Sequence, residues 1–596
     1  MKPIHIAALS TTLCCALSAA PGFAQGAQPT LVEDLQPGPL DGYPDDLLAL
    51  NGRVFFVADD GVHGREPWIS DGTAAGTFML GDLEPGSAGS DPFQYVNLGG
   101  EALFFSSSNE LWKSDGTPGG TVPLHPFVAS GGIPLFMREA GGVMYFTADD
   151  GVVGKELWKT DGTVSGTVLV KDILPGVGSG ITHGTGFFET TVVGSRLYLA
   201  ADNGINGVEL WQTNGTNGST VMVADVFPGP VSSSPYFLTT VGNYVWFRAQ
   251  TQSLGTELVR FNTLSSSVVV FDLSPGDSNP FNLTEWNSTL YFGADDGVTG
   301  KEPYKIEFNN ALSSLGDLRP GPSGSLSSFG PRFQPLGGRL YFIADDGLRG
   351  IEPWSTDGTP AGTVQLRDLE SGGASSSPHS FQQVGSEVFF VATVGGEREL
   401  WHTDGTGSGT VPYFEVLQNG SSEVAEPTTS GSKVFLRATD GLLGRELYCF
   451  DAQLSGVAYC SPGTSSQGCQ VLIAAAGIPS IEEGADFWIT GSTSPAQVDG
   501  ILFFGTNGRQ ASPWGNGTSL QCVVPPVKRT DLRSSGGSGS CVGQFSIDFN
   551  AWMDSYPKKA PTPGDVVQAE WWYRDAKNTS NQTTSMSDAL EFTVCP

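Results

Sequence analysis

The sequence predicts an all-β chain in which a long array of four-stranded units is followed by a smaller β domain, and three observations carry that prediction. A phrase recurs as "EPWISDGTAAGT" from residue 66, "ELWKTDGTVSGT" from 156 and "EPWSTDGTPAGT" from 352. The 80 Gly and 39 Pro, beside only 15% charged residues, call for many tight turns between short strands. At 596 residues the chain is too long for one ordinary core, so several domains or a repeat architecture must share the burial.

In chain order, the first segment pairs one Lys with an apolar run and closes on Gly22-Phe23-Ala24, which reads as a signal peptide over residues 1–24. Cys14 and Cys15 leave with it. No other stretch reaches the roughly 18 to 20 uninterrupted apolar residues of a membrane helix. The mature chain is therefore expected to be secreted, extracellular or associated with the cell surface, with no membrane span.

The repeats occupy residues 25–455. Their anchor, a Glu two residues before an aromatic or its substitute, falls at Glu66, Glu110, Glu156, Glu209, Glu257, Glu302, Glu352, Glu399 and Glu446. A period of about 48 residues, each unit reading as strands a to d, is the size of one propeller blade. The fold expected is a large β-propeller of about nine four-stranded blades. Eight is the alternative, because the unit around Glu257 lacks both its Trp and its Asp-Gly turn. "LVEDLQPG", residues 31–38, reads as a strand d without a, b and c, while the last unit ends at 451 without a d. The N-terminal strand should thus close the ring and remove its exposed edges.

Each anchor glutamate shares a strand face with its Trp, and such faces pack against neighbouring blades. A carboxylate there needs partners, so these nine residues are read as structural locks that accept backbone N–H groups. Strand order then places the b–c turns and the d–a connections at one end of every sheet. That face should gather Asp59, Asp60, Asp149, Asp150, Asp295, Asp296, Asp345 and Asp346 with the Asp of each "DLxPG" connection. The paired aspartates are weak calcium candidates, since hard oxygen ligands suit calcium but the spacing is not that of a calcium loop. Otherwise no cofactor is expected. The formal charge is −32, of which residues 456–596 contribute −4, so the acidity belongs to the repeats. Such a field disfavours nucleic acid and favours cations or basic partners.

The phrase resembles the ELWxxDGT repeat family of bacterial exported proteins through Glu156, Leu157, Trp158, Asp161, Gly162, Thr163, Gly166 and Thr167. The resemblance covers about 31–451 and implies an exported propeller-like protein. It brings no catalytic residues. Residues 456–596 are read as a separate β-sandwich, resembling a C-terminal domain of planctomycete- and myxobacterial-type secreted proteins. Cys449, Cys460, Cys469, Cys522, Cys541 and Cys595, all in the last quarter of the chain, are disulfide candidates, an even number in an exported chain. Its "EWWYRD" aromatics read first as core, with a sugar-stacking platform as the alternative.

No HExxH or G-x-S-x-G pattern supports catalysis. The function expected is a non-enzymatic binding, adhesion or surface-matrix scaffold with an unknown protein or glycan ligand. The alternative is an extracellular polysaccharide hydrolase or lyase using the propeller funnel. An enzyme should gather non-repeated polar residues at the axis, whereas a binding ring should repeat its surface chemistry from unit to unit.

Overall fold

The structure is a computed structural model. It describes residues 29–451 apart from 129–131, 182–189, 328–332, 385–386 and 415–420. Beyond these it describes 457–459, 472–477, 487–494, 497–506, 509–514, 519–523, 525, 527–535, 543–562, 565–574 and 584–593. The signal-peptide reading of 1–24 and the pairing of Cys460, Cys469, Cys541 and Cys595 lie outside these residues, as does the side chain of Cys522. The chain parts into two compact units, one of them Ala27–Val457 and the other holding Ala458–Pro596.

The first unit contains nine four-stranded antiparallel sheets, a blade-like repetition that fits a β-propeller. The third sheet is representative: Leu135–Ala140, Val143–Asp149, Lys155–Thr160 and Val168–Lys171, paired in that order. Alternating apolar positions put Met144, Phe146 and Ala148 in one core and Tyr145 in the next, so each sheet is covered on both faces by its neighbours. The unit around Glu257 is complete, with strands Tyr236–Val241, Tyr244–Thr251, Gly255–Asn262 and Val268–Phe271. Packing rescued a sheet whose turn motif had decayed.

Thr30–Glu33 pairs antiparallel with Glu446–Asp451, with Thr30 opposite Cys449 and Leu31 opposite Tyr448. This strand completes the ninth sheet, and the first strand of sheet one, Asp45–Leu50, lies against Ala425–Ser430 of the ninth. One expectation fails here. Cys449 is a free, buried thiol rather than half of a disulfide. It packs with Val54, Phe56 and Phe435 between sheets nine and one, and burial pushes the thiol up to about 12.

In the second unit, strands Asp499–Gly505 and Val566–Arg574 of one sheet and Leu472–Gly477, Phe487–Ser494 and Gly543–Asp548 of another enclose a common core. A short helix, Phe549–Ser555, adds Phe549, Trp552 and Met553 to it. Trp571 and Tyr573 are fully buried there, so this half of the "EWWYRD" cluster is core. Trp572 sits on the opposite face, stacked on Phe503 with ring centroids 6.3 Å apart.

Candidate functional site

The recurring phrase is a self-contained turn. Asp161 Oδ1 accepts the Thr163 amide at 2.9 Å and its hydroxyl at 2.7 Å, and Thr163 Oγ1 accepts the Gly166 amide at 3.0 Å. The Thr163 hydroxyl is the main reason the Asp161 carboxyl sits below its ordinary range. Gly162 has φ 83°, which explains the first glycine. The second has a different reason: a Cβ on Gly166 would lie 2.0 Å from Asp161 Oδ1. The fourth sheet supports this reading by its departure. There Asn214 replaces the Asp and Ser219 the Gly, and the Ser219 hydroxyl donates to Asn214 Oδ1.

The anchor glutamates lock the connection leading from strand d to the next sheet. Glu209 accepts the Val226 and Ser233 amides, both at 2.9 Å, and the Ser233 hydroxyl at 2.6 Å. Glu66, Glu257 and Glu352 repeat the pattern with Ser90, Ser278 and Ser376, and Glu302 takes the Ser325 hydroxyl with the Leu318 amide. Glu399 accepts the Ser422 amide at 2.8 Å. Glu156 and Glu446 meet Gly180 and Gly42 where the serine would stand, and accept only amides. Glu446 also ties down the N-terminal segment, since the Leu35 and Gly42 amides that it accepts belong there.

Glu110 departs from the expectation. It is only partly buried beside Trp112 and accepts no amide of the following connection among the described residues. The b–c loop of this sheet is short, and Asn109 takes over, donating its amide to the Val128 and Gly132 carbonyls at 3.3 and 3.2 Å.

The b–c loops stand at the same end of each sheet as the d–a connections. A Cβ on Gly64, Gly154, Gly300 or Gly350 would strike the backbone of the adjoining connection at 2.1 to 2.6 Å. Within each loop the paired aspartates serve the turn. Asp149 Oδ1 accepts the Gly151 amide at 2.7 Å, and Asp150 Oδ1 accepts those of Val152 and Val153 at 2.9 and 3.2 Å. Asp59 and Asp60, Asp295 and Asp296, and Asp345 and Asp346 do the same. Among the described residues no three His, Cys, Asp or Glu side chains converge as metal ligands.

A recess of about 620 Å³ opens where the first strands of sheets eight, nine, one and two meet. Asp45, Asp46, Asp91, Gln94, Gln382 and Glu426 line it, with Arg65. These residues do not repeat from sheet to sheet. Each first strand carries a bulge here, and Asp46, Gln94, Ser380 and Glu426 occupy it at φ 51° to 56°. The bulged side chain reaches the next sheet: Asp46 accepts the Tyr95 amide at 3.1 Å and Gln94 that of Phe136 at 3.0 Å. Sequence reasoning passed over these positions. For Asp46, Gln94 and Ser380 the signal was a Pro two residues earlier, at Pro44, Pro92 and Pro378, which ends the connection and starts the strand; Glu426 has Val424 there.

Asp45 of sheet one and Glu426 of sheet nine both approach Arg437 Nη1, at 3.1 and 3.9 Å. Burial, the Asp45 hydrogen bond and the Asp45 charge push Glu426 up to about 8. Asp45 lies below its ordinary value: burial works upward, but the Glu426 hydrogen bond and the guanidinium groups of Arg437 and Arg65 outweigh it. Arg437 Nη1 stands 3.1 Å from Asp45 Oδ1 and stacks over Tyr43 at 4.2 Å.

No protein-family model matches the chain, and no curated protein does. Among solved structures, the chain is similar to the computationally designed Ika8 protein at 16% identity and TM-score 0.37, over 60% of this chain and 96% of that one. A puromycin hydrolase gives 13% identity and TM-score 0.33, over 80% of this chain and 62% of its own. A prolyl endopeptidase gives 11% and 0.34, over 78% and 63%. No activity is carried over from them.

Proposed function

We propose that the chain is an exported, non-enzymatic nine-bladed β-propeller of the ELWxxDGT kind, closed by its N-terminal strand, that acts as a binding or adhesion scaffold at the cell surface or in the matrix. Its ligand is a protein or glycan. The observation that carries this reading is the b–c loop, raised at the same end of sheet after sheet with the same internal hydrogen bonds. Rigid sheets presenting loops of constant geometry suit multivalent recognition. Calcium on the acidic loops belongs to the same proposal as an accessory. Calorimetric titration with calcium should show saturable heat and a raised melting temperature, and neither would appear if the aspartates serve only their turns.

The recess among the first strands favours a second reading, an extracellular polysaccharide hydrolase or lyase, because its polar residues are not repeated. Against it, Asp45 and Glu426 are both engaged by one guanidinium, Arg437 Nη1 standing 3.1 Å from Asp45 Oδ1 and 3.9 Å from Glu426 Oε1. The expected outcome is no release of reducing ends or unsaturated sugars from a panel of polysaccharides. Turnover that disappears in Glu426→Gln would replace the scaffold reading with the enzymatic one.

A further inference from the structure

Every repeated position of the b–c loop has a structural reason except one. In "DDGVVG", Asp149 and Asp150 close the turn, Gly151 and Gly154 adopt φ 81° and 74°, and Gly154 lets the loop approach the next connection. The residue after the first glycine remains unexplained. It is aliphatic at Val62, Val152, Ile205, Val298, Leu348 and Leu442, and its exposure runs from 65% at Val62 to 79% at Leu442. A single exposed aliphatic residue is ordinary. Six at one loop position, all at the same end of their sheets, form a patterned surface. Sheets two, five and eight lack it, their loops being shortened to Ser106–Asn109, to Gln252–Leu254 and to the Gly395-Gly396 hairpin.

We infer that these loop tips are the contact points for a broad cationic protein surface bearing apolar side chains. This deepens the scaffold reading above and rests on it. Charge selects the partner: each tip rises from one or two acidic side chains, on a chain of formal charge −32. The same charge opposes a second copy of this chain, anionic lipid and nucleic acid. Aliphatic tips offer no flat ring on which a sugar could stack. Each tip is a weak contact, and a rigid array of them binds by avidity.

The test uses the full mature chain and two polymer probes, poly-lysine and a lysine–leucine copolymer of matched length. The copolymer is expected to bind the more tightly. The variant Val152→Ser/Ile205→Ser/Val298→Ser/Leu348→Ser should lose about 100-fold in copolymer affinity, less than the sum of roughly tenfold per buried aliphatic side chain. Its poly-lysine affinity and melting temperature should be unchanged, because the tips support nothing in the fold. Equal copolymer binding by variant and parent would overturn the assignment of the tips, leaving the scaffold reading in place. So would binding of phosphatidylcholine vesicles in preference to the copolymer. Failure of the scaffold reading itself would show instead as polysaccharide turnover.

Discussion

The third and fourth sheets carry the same lock with one difference. Glu209 of the fourth accepts two amides and the Ser233 hydroxyl, while Glu156 of the third finds Gly180 in place of the serine and accepts amides alone. Burial raises both carboxyls, and for Glu209 the Ser233 hydroxyl is the first counterweight. Without it Glu156 is pushed up to about 7, and so is Glu446, which faces Gly42. Repeats that share a hydrogen-bond geometry therefore differ in how they respond to pH, through one oxygen atom.

The largest effect should come from removing a lock. Glu209→Ala leaves two amides and a hydroxyl without an acceptor at a fully buried site, and about 4 kcal/mol should be lost. Glu110→Ala, where Asn109 does the work, should cost less than about 1 kcal/mol. Equal losses in denaturant titrations of the two variants would mean that the lock is not what the anchor position provides.

Next is the turn. Gly166→Ser should cost about 2 kcal/mol, since its Cβ must displace the Asp161 carboxylate. The fourth sheet suggests its own cure. Asp161→Asn combined with Gly166→Ser recreates the Asn214 and Ser219 pair, and should recover more than half the loss in a double-mutant cycle. Additive losses would sink that coupling.

Much of this was legible in the sequence. The period and the Asp-Gly turns marked the sheets, because both follow from local backbone chemistry that every copy must satisfy. The orphan strand at the N-terminus pointed to its partner at 446–451, since an unpaired edge is costly. The recess among the first strands was not legible. Its residues occupy bulges, where one extra residue per strand breaks the alternation on which strand reading depends. Nor could sequence show that Glu110 cedes its role to Asn109, because loop length, and not residue type, decides which side chain reaches the connection.

The pH response comes third. A carboxyl whose folded value of about 7 exceeds its ordinary 4.5 favours the fold while protonated. Its contribution is complete below about 4.5 and declines as the pH rises through 7. Glu156 and Glu446 together should thus make the repeat unit less stable at pH 8 than at pH 5, by about 2 kcal/mol for each group. Glu156→Gln should remove one group's share of that slope. An unchanged slope would assign the decline to other groups.

The smallest change supplies the missing oxygen. Gly180→Ser places a Cβ 2.8 Å from the Glu156 carboxylate, close enough that the carboxylate must shift; the sheets that carry serine accommodate both groups, the hydroxyl donating to the anchor carboxylate. A hydroxyl hydrogen bond to the charged form should lower the Glu156 value and add about 1 kcal/mol at pH 8. At pH 4, where the carboxyl is protonated in either chain, the gain should vanish or reverse, because only the steric cost remains. Measuring both variants at the two pH values separates the outcomes: stabilisation at pH 8 alone identifies the hydroxyl as the element that sets the sheet's pH response. A loss at both values would mean that Ile173, whose Cβ lies 2.9 Å from the new atom, cannot give way. The third sheet would then keep its glycine for space rather than for want of a serine.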